Sequence, residues 1–276
     1  MPKPPLTYYG GKTTLAEKIV RLLPTHEHYV EPFAGSLAVL LAKTPSRMET
    51  VNDLDQDLMA FWRILRDRPA DLERVCALTP HSRAEHTAAY EPAADELEQA
   101  RRVWVRLTQG RGGTLRNTGW RHYVRPVGST GMPDYLAAYV TRIAAAAQRL
   151  AAVSLECRPA LDVIASYGKH REVCLYVDPP YLASTRTSVN YLHEMPREDQ
   201  HVELAKALLD CDAAVVLSGY DSPLYDDLYG SWHRVEIPTA TGQAQKWSAR
   251  TEVLWSNRPF PNVTPSLFDE EAADAS

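Results

Sequence analysis

Apolar residues recur at helical spacing in LAEKIVRLLP (15–24), which Pro24 should end, and again in QDLMAFWRILRD (56–67). Between them HYVEPFAG (28–35) reads as a short strand running into a turn. SLAVLLAK (36–43) reads as an apolar helix capped by Ser36, and METVNDLD (48–55) as a second strand ending in acids. Strand and helix alternating in this way predict parallel strands joined by right-handed crossovers. The pattern then changes. Residues 69–150 predict helices over ELEQARRVWVRLTQ (96–109) and PDYLAAYVTRIAAAAQRLAA (133–152), around the irregular segment GRGGTLRNTGWRHYVRPVGSTGMP (110–133). That segment is long for a loop inside a compact domain, a feature that goes with function or disorder.

Alternation resumes with VSLEC (153–157), VCLYVD (173–178) and AAVVLSGY (213–220) as strands, and with REDQHVELAKALL (197–209) as a helix between the last two. HRVEIP (233–238) and RTEVLWSN (250–257) can close the domain as an antiparallel hairpin. The predicted architecture is therefore α/β. Residues 1–68 and 151–259 form a mostly parallel, Rossmann-like sheet domain, 69–150 a helical insert, and 260–276 a disordered tail. No apolar run approaches the ~20 residues needed to cross a bilayer, and the first residues lack the apolar stretch of a signal peptide. Cys76, Cys157, Cys174 and Cys211 are scattered, without a C-x-x-C pair, so reduced thiols in a cytosolic protein are expected and a zinc site is not.

The formal net charge of -5 argues against a polyanionic partner until its distribution is read. The tail DEEAADAS carries Asp269, Glu270, Glu271 and Asp274 and no base, while no acid occurs from Gln99 to Pro133. That stretch holds Arg101, Arg102, Arg106, Arg111, Arg116, Arg121 and Arg125, a local basic patch of the kind nucleic acid responds to.

Four short stretches carry candidate chemistry. In YVEPFAGSLAV (29–39) an acid ends a strand, Gly35 allows close approach to the backbone, and a helix begins at once; a ligand turn and an ordinary strand-turn-helix junction both account for it. Asp53 lies about 20 residues after the turn, where an acid at the end of the second strand accepts from ribose hydroxyls; it can instead cap a helix, a role open to Asp55 as well. YYGGK (8–12) falls short of a phosphate-binding P-loop. The sharpest signal is DPPY (178–181). Two prolines remove N–H donors, leaving the Asp178 carboxylate and the Pro179 carbonyl as acceptors beside the flat ring of Tyr181. That set suits a planar group bearing –NH₂.

Together these motifs resemble the Dam-like DNA adenine methyltransferases, over nearly the whole chain and in the family's α order of cofactor motif, recognition insert and DPPY. RTEVLWSN is similar to the family's closing strand. The resemblance implies S-adenosylmethionine as cofactor and no metal. It implies contacts to that cofactor from Tyr8, Gly10, Gly11, Lys12, Glu31, Pro32, Phe33, Gly35, Asp53, Asp162 and Asp178. Catalysis would fall to Asp178, Pro179, Pro180 and Tyr181, with Tyr181 stacking on a flipped-out adenine. Leu37 stands where family members often have a second glycine, and either narrows the pocket or packs the helix. Double-stranded DNA is the implied partner, in the cytoplasm of a bacterial or phage-infected cell; a monomer on DNA fits, with the oligomeric state left open. Arg111, Arg116, Trp120, Arg121, Tyr123 and Arg125 of the insert, and Arg186 and Tyr191 after DPPY, are the candidate DNA contacts. A related enzyme acting on RNA or protein, or a non-catalytic DNA-binding protein on the same scaffold, are the competing readings.

Overall fold

The apolar runs assemble into a seven-stranded sheet in the computed structural model, which describes residues 1–123, 131–182, 195–240 and 249–261. The strands are β1 (His28–Glu31), β2 (Met48–Asn52), β3 (Ser154–Glu156), β4 (Val173–Val177), β5 (Ala214–Gly219), β6 (His233–Ala240) and β7 (Ala249–Ser256), in the order β3-β2-β1-β4-β5-β7-β6. β1 to β5 pair in parallel. β7 runs antiparallel to both β5 and β6, so the closing hairpin is inserted edgewise, with its second strand innermost.

β1, β4 and β5 are buried at every position, as expected of central parallel strands covered on both faces. Alternate residues serve opposite faces. Tyr29, Cys174, Tyr176 and Val216 enter one core, and Val30, Leu175, Val177 and Val215 the other. The first core is covered by α1 (Ala16–Leu22), α2 (Ala38–Ala42) and α3 (Gln56–Asp67), joined by helices of residues 69–150: α4 (Pro69–Leu78), α6 (Glu96–Gln109), α7 (Met132–Val140) and α8 (Ile143–Leu150), with α5 (Arg83–Ala88) packed on α6. Trp62, Leu72, Trp104 and Leu150 belong to this one cluster, so the insert shares its core with the sheet. The second core is covered by α9 (Ala160–Tyr167), α10 (Glu198–Leu209) and α11 (Pro223–Tyr229). No helix among the described residues is long and apolar enough to cross a membrane.

Several local expectations change. α4, α5 and α11 escape the periodicity because they are short or weakly patterned. The single helix expected over 133–152 is two, broken at Thr141 and Arg142, where Arg142 turns back to donate to the Pro4 carbonyl at 3.1 Å. An alanine-rich run carries no mark of such a break. Ser36 does not cap α2. The N-cap is Leu37, in the left-handed region at φ 56, with its side chain fully buried in the first core. A buried salt-bridge triad fastens the insert to the sheet: Glu49 on β2 accepts from Lys43 at 2.7 Å and from Arg149 of α8 at 2.8 Å. Burial pushes the Glu49 carboxyl up, but these bonds outweigh it and hold its pKa below the usual value.

Leu37 resolves a choice that the sequence leaves open: it packs the core and does not line the cavity at the ends of the strands. Left-handed backbone costs a leucine about 1–2 kcal/mol, whereas emptying a buried leucine site costs about 2–5 kcal/mol. Leu37→Gly is therefore expected to lower stability by about 1–3 kcal/mol in urea denaturation; a stabilised variant would show that the strain dominates.

Candidate active site

The parallel strands end on one side of the sheet, and their C-terminal turns converge there, the usual place for a ligand in an open α/β fold. β1 ends at Glu31 and hands over to a turn through Pro32–Ser36. Ala34 N–H donates to the Asn52 carbonyl at 2.8 Å, Gly35 adopts φ 48, and the Trp62 indole holds the Gly35 carbonyl at 3.1 Å. Asp53, just past β2, accepts from Gly35 N–H and from Asp55 N–H, each at 3.0 Å. Asp55 takes the capping role, accepting from Leu58 N–H at the start of α3. Asn52 braces the turn: its amide donates to the Pro32 carbonyl at 2.9 Å and the Arg158 carbonyl at 3.0 Å, and its oxygen accepts from Arg158 N–H.

A cavity of about 340 Å³ opens between these turns. Tyr8, Gly10, Gly11, Lys12, Glu31, Pro32, Phe33, Gly35, Asp53 and Asp178, all singled out by sequence, line it together. Asp162 does not. It is exposed in the first turn of α9, and Pro159, Ala160 and Leu161 form that wall. Gln200, Glu203 and Leu204 of α10 also line it, and no sequence motif marks them. Glu31 is fully enclosed. It accepts from the Tyr29 hydroxyl at 2.7 Å and from Leu40 N–H at 2.8 Å, yet burial lifts its carboxyl to about 8. A carboxyl so placed is ready to ionise against a cationic ligand.

At the end of β4 the chain runs into Asp178. Both of its oxygens accept from the Lys12 ammonium at 2.7 Å. Burial raises Asp178 to about 6, Lys12 opposes the rise, and Glu252 on β7 adds to it. For Lys12 itself, burial is outweighed by Asp178 and then Glu252, and the ammonium is held more tightly protonated than usual. Pro180 lines the cavity, whereas Pro179 is buried behind it. Tyr181, expected to offer an open ring, is 7% exposed. Its hydroxyl contacts Asp178 Oδ1 at 3.1 Å and donates to Glu252, and its ring is met edge-on by Tyr220 at 4.6 Å and capped by the Lys12 ammonium at 4.9 Å. Sequence reading missed Glu252. Its signal was an acid among the buried residues of RTEVLWSN.

The basic stretch is thinner in space than in sequence. Arg101 pairs with Glu85 and Glu98, Arg102 with Glu98, and Arg106 with Asp57. Arg111 and Arg116 are exposed on the loop that follows α6. Arg121 donates to the Tyr135 hydroxyl at 2.7 Å and stacks on that ring. Trp120 lies between His81 at 4.4 Å and His122 at 5.3 Å, with the Arg83 guanidinium over its ring, so it builds the loop. Tyr123 is exposed. The loop is joined to the cavity wall, because Tyr9 N–H donates to the Gly113 carbonyl at 2.7 Å. Arg125, Arg186 and Tyr191 lie outside the described residues. Among the described residues no group of His, Cys, Asp and Glu is arranged to hold a metal ion.

Residues 8–242 match the family profile of the D12 class N6 adenine-specific DNA methyltransferases. Similar proteins include the Type II methyltransferase M1.LlaDCHI of Lactococcus lactis subsp. cremoris, 25% identical over 275 residues and covering 92% of this chain and 95% of its own. The Retron Ec67 DNA adenine methylase of Escherichia coli is 26% identical, covering 90% of this chain and 89% of its own. The DNA adenine methylase of Salmonella typhi is 25% identical, with shares of 81% and 83%.

The Gly35 turn yields a direct test. A Cβ at Gly35 would stand 3.1 Å from the Tyr8 ring on a backbone at φ 48. Gly35→Ala should lower the unfolding free energy by about 1–2 kcal/mol. Gly35→Asn should lose less for its backbone, since asparagine tolerates left-handed conformations. Equal stability of Gly35→Ala and the native chain in a urea titration would contradict this account of the turn.

Proposed function

The chain belongs to the D12 class N6 adenine-specific DNA methyltransferases, which transfer a methyl group from S-adenosylmethionine to adenine in DNA, and on that premise we propose how its residues divide the work. One observation carries this division: the Asp178 carboxylate opens into the same cavity as the Gly35 turn and Asp53.

The cavity suits the cofactor by the chemistry of its groups. Glu31, held near neutrality by burial, meets a ligand that carries both an ammonium and a sulfonium. Asp53 has an N–H on each carboxylate oxygen and retains lone pairs for ribose hydroxyls. Gly35 lets the ligand approach the backbone, and Tyr8, Gly10, Gly11, Lys12, Pro32 and Phe33 close around it. Bound S-adenosylmethionine supplies a methyl group on a cationic sulfonium.

On the acceptor side, Asp178 and the Pro179 carbonyl accept hydrogen bonds from the two N–H groups of the target amine, one of which loses its proton as the nitrogen–methyl bond forms and the sulfur–methyl bond breaks. The lone pair of that amine is delocalised into the purine ring, and two acceptors draw the nitrogen toward a tetrahedral, more nucleophilic form. Pro179 and Pro180 contribute by having no N–H to compete. Rate acceleration then comes from holding nitrogen and methyl in line and from dipoles already in place. An adenine within a duplex cannot reach a carboxylate this enclosed, so the base swings out of the helix.

The DNA partner is double-stranded. Arg111 and Arg116 meet phosphates or guanine edges from the exposed loop. Arg121, Trp120 and Tyr123 shape that loop and its rim, and Arg125, Arg186 and Tyr191 extend the contact. The protein acts in the cytoplasm, in a restriction-modification or phage setting that fits its Type II and retron relatives.

Asp178→Asn should reduce transfer of labelled methyl groups to unmethylated DNA by roughly 100-fold or more, as loss of one preorganised charge contact does; transfer at the native rate would overturn the proposed role. Arg111→Ala with Arg116→Ala should weaken DNA binding and reduce the slope of log affinity against log salt by about 2. An unchanged slope would move the DNA surface elsewhere.

A further inference from the structure

Lys12 directs its three N–H donors to the two oxygens of Asp178 and to the Gly10 carbonyl at 3.1 Å. With Asp178 read as the acceptor for the target amine, the reading on which this inference rests, the amine shares one of those same oxygens and competes with the ammonium for its charge. An ammonium displaced inside so buried a site must find another anion, because an unpaired buried charge is costly. Glu252 Oε1 lies 3.6 Å from the Lys12 nitrogen and belongs to the only other carboxylate within ion-pair distance of it among the described residues.

Tyr181 supplies the second half of the device. Its hydroxyl touches Asp178 Oδ1 and Glu252 Oε1, but a phenol has one hydrogen and can give it to one carboxylate at a time. Burial, then Asp178 and Glu252, hold its pKa well above the ordinary value, so that hydrogen is retained. Ser218 fixes Glu252 from the other side, its hydroxyl 2.7 Å from Oε1.

We propose that Glu252 is the seat to which the Lys12 ammonium moves when the target amine reaches Asp178, while the Tyr181 hydrogen turns from Glu252 to Asp178. The exchange conserves charge, with one ammonium and two carboxylates present before and after. Only hydrogen bonds and ion pairs change hands. Asp178 gives up a full ion pair for a neutral phenol, and its negative charge is freed to act on the amine. Glu252 is thus a positioning residue, acting through Lys12 and Tyr181.

Glu252→Gln preserves shape and an acceptor for Tyr181 and Ser218 but removes the charge. The assay is methyl transfer to enzymatically amplified genomic DNA, which carries no methyl groups and presents many sequence contexts, at saturating S-adenosylmethionine. Transfer should fall by roughly tenfold or more, a coupling of ordinary size within one network, and Glu252→Asp should restore part of it. The groups acting on Asp178 are Lys12, Glu252, Tyr176, Tyr181, Tyr225 and Glu31. Glu252 is among those that raise its carboxyl, so its removal should shift the acid limb of the rate profile to lower pH even as the rate falls. A packing defect would lower the rate without that shift. A Glu252→Gln rate within about twofold of native, or a rate loss with an unmoved acid limb, would sink the exchange. Native-rate transfer by Asp178→Asn would instead sink the reading of Asp178 on which it rests.

Discussion

The contact between Lys12 and Asp178 closes this site. It joins the N-terminal YYGGK loop to the end of β4, 166 positions apart along the chain, and sets one wall of the cavity against the other. A single ammonium faces two enclosed carboxylates there. The cluster therefore keeps a net negative charge in a place where burial resists charge, and its balance is sensitive to any amine that enters. Structural ion pairs of this kind usually fasten a fold. On the role proposed for Asp178, this one also engages the acceptor oxygens, so the bond that shapes the site competes with the target amine.

The sheet explains why these groups meet. β1 and β4 are neighbours at the centre of a parallel array, so the turns after Glu31 and Val177 emerge side by side. β7, antiparallel and next to β5, brings Glu252 to the same end. The helical segment of residues 69–150 packs into the core on one face and sends its exposed loop back to the cavity wall through Tyr9 and Gly113. The Gly35 turn, Asp178 and the arginine-bearing loop are thus held by one frame, which suits the positioning roles proposed for them.

Charge shows the limits of counting residues along the chain. The acid-free stretch from Gln99 to Pro133 holds seven arginines. Three of them are taken up by Glu85, Glu98 and Asp57, acids that lie outside the stretch. Arg121 is occupied by Tyr135. Sequence proximity thus overstates the charge presented to a polyanion, because Arg101 and Arg102 pair with Glu98 on their own helix and folding brings in Glu85 and Asp57 from others.

The sequence alone determined the alternation of strands and helices, the boundaries of α3 and α6, and the turn residues whose chemistry is local: Gly35, Asp53 and the Asp178–Tyr181 corner. Each depends on neighbours a few positions away, through periodicity, capping or the missing N–H of proline, and such effects survive in one dimension. The tertiary structure decided what depends on partners far along the chain. It put Leu37 into the core in a left-handed conformation, turned Asp162 to the solvent and covered the ring of Tyr181. It also set Glu252 beside Lys12. Burial and Coulomb forces act through space, and no spacing rule records which distant side chains a fold will bring within 4 Å.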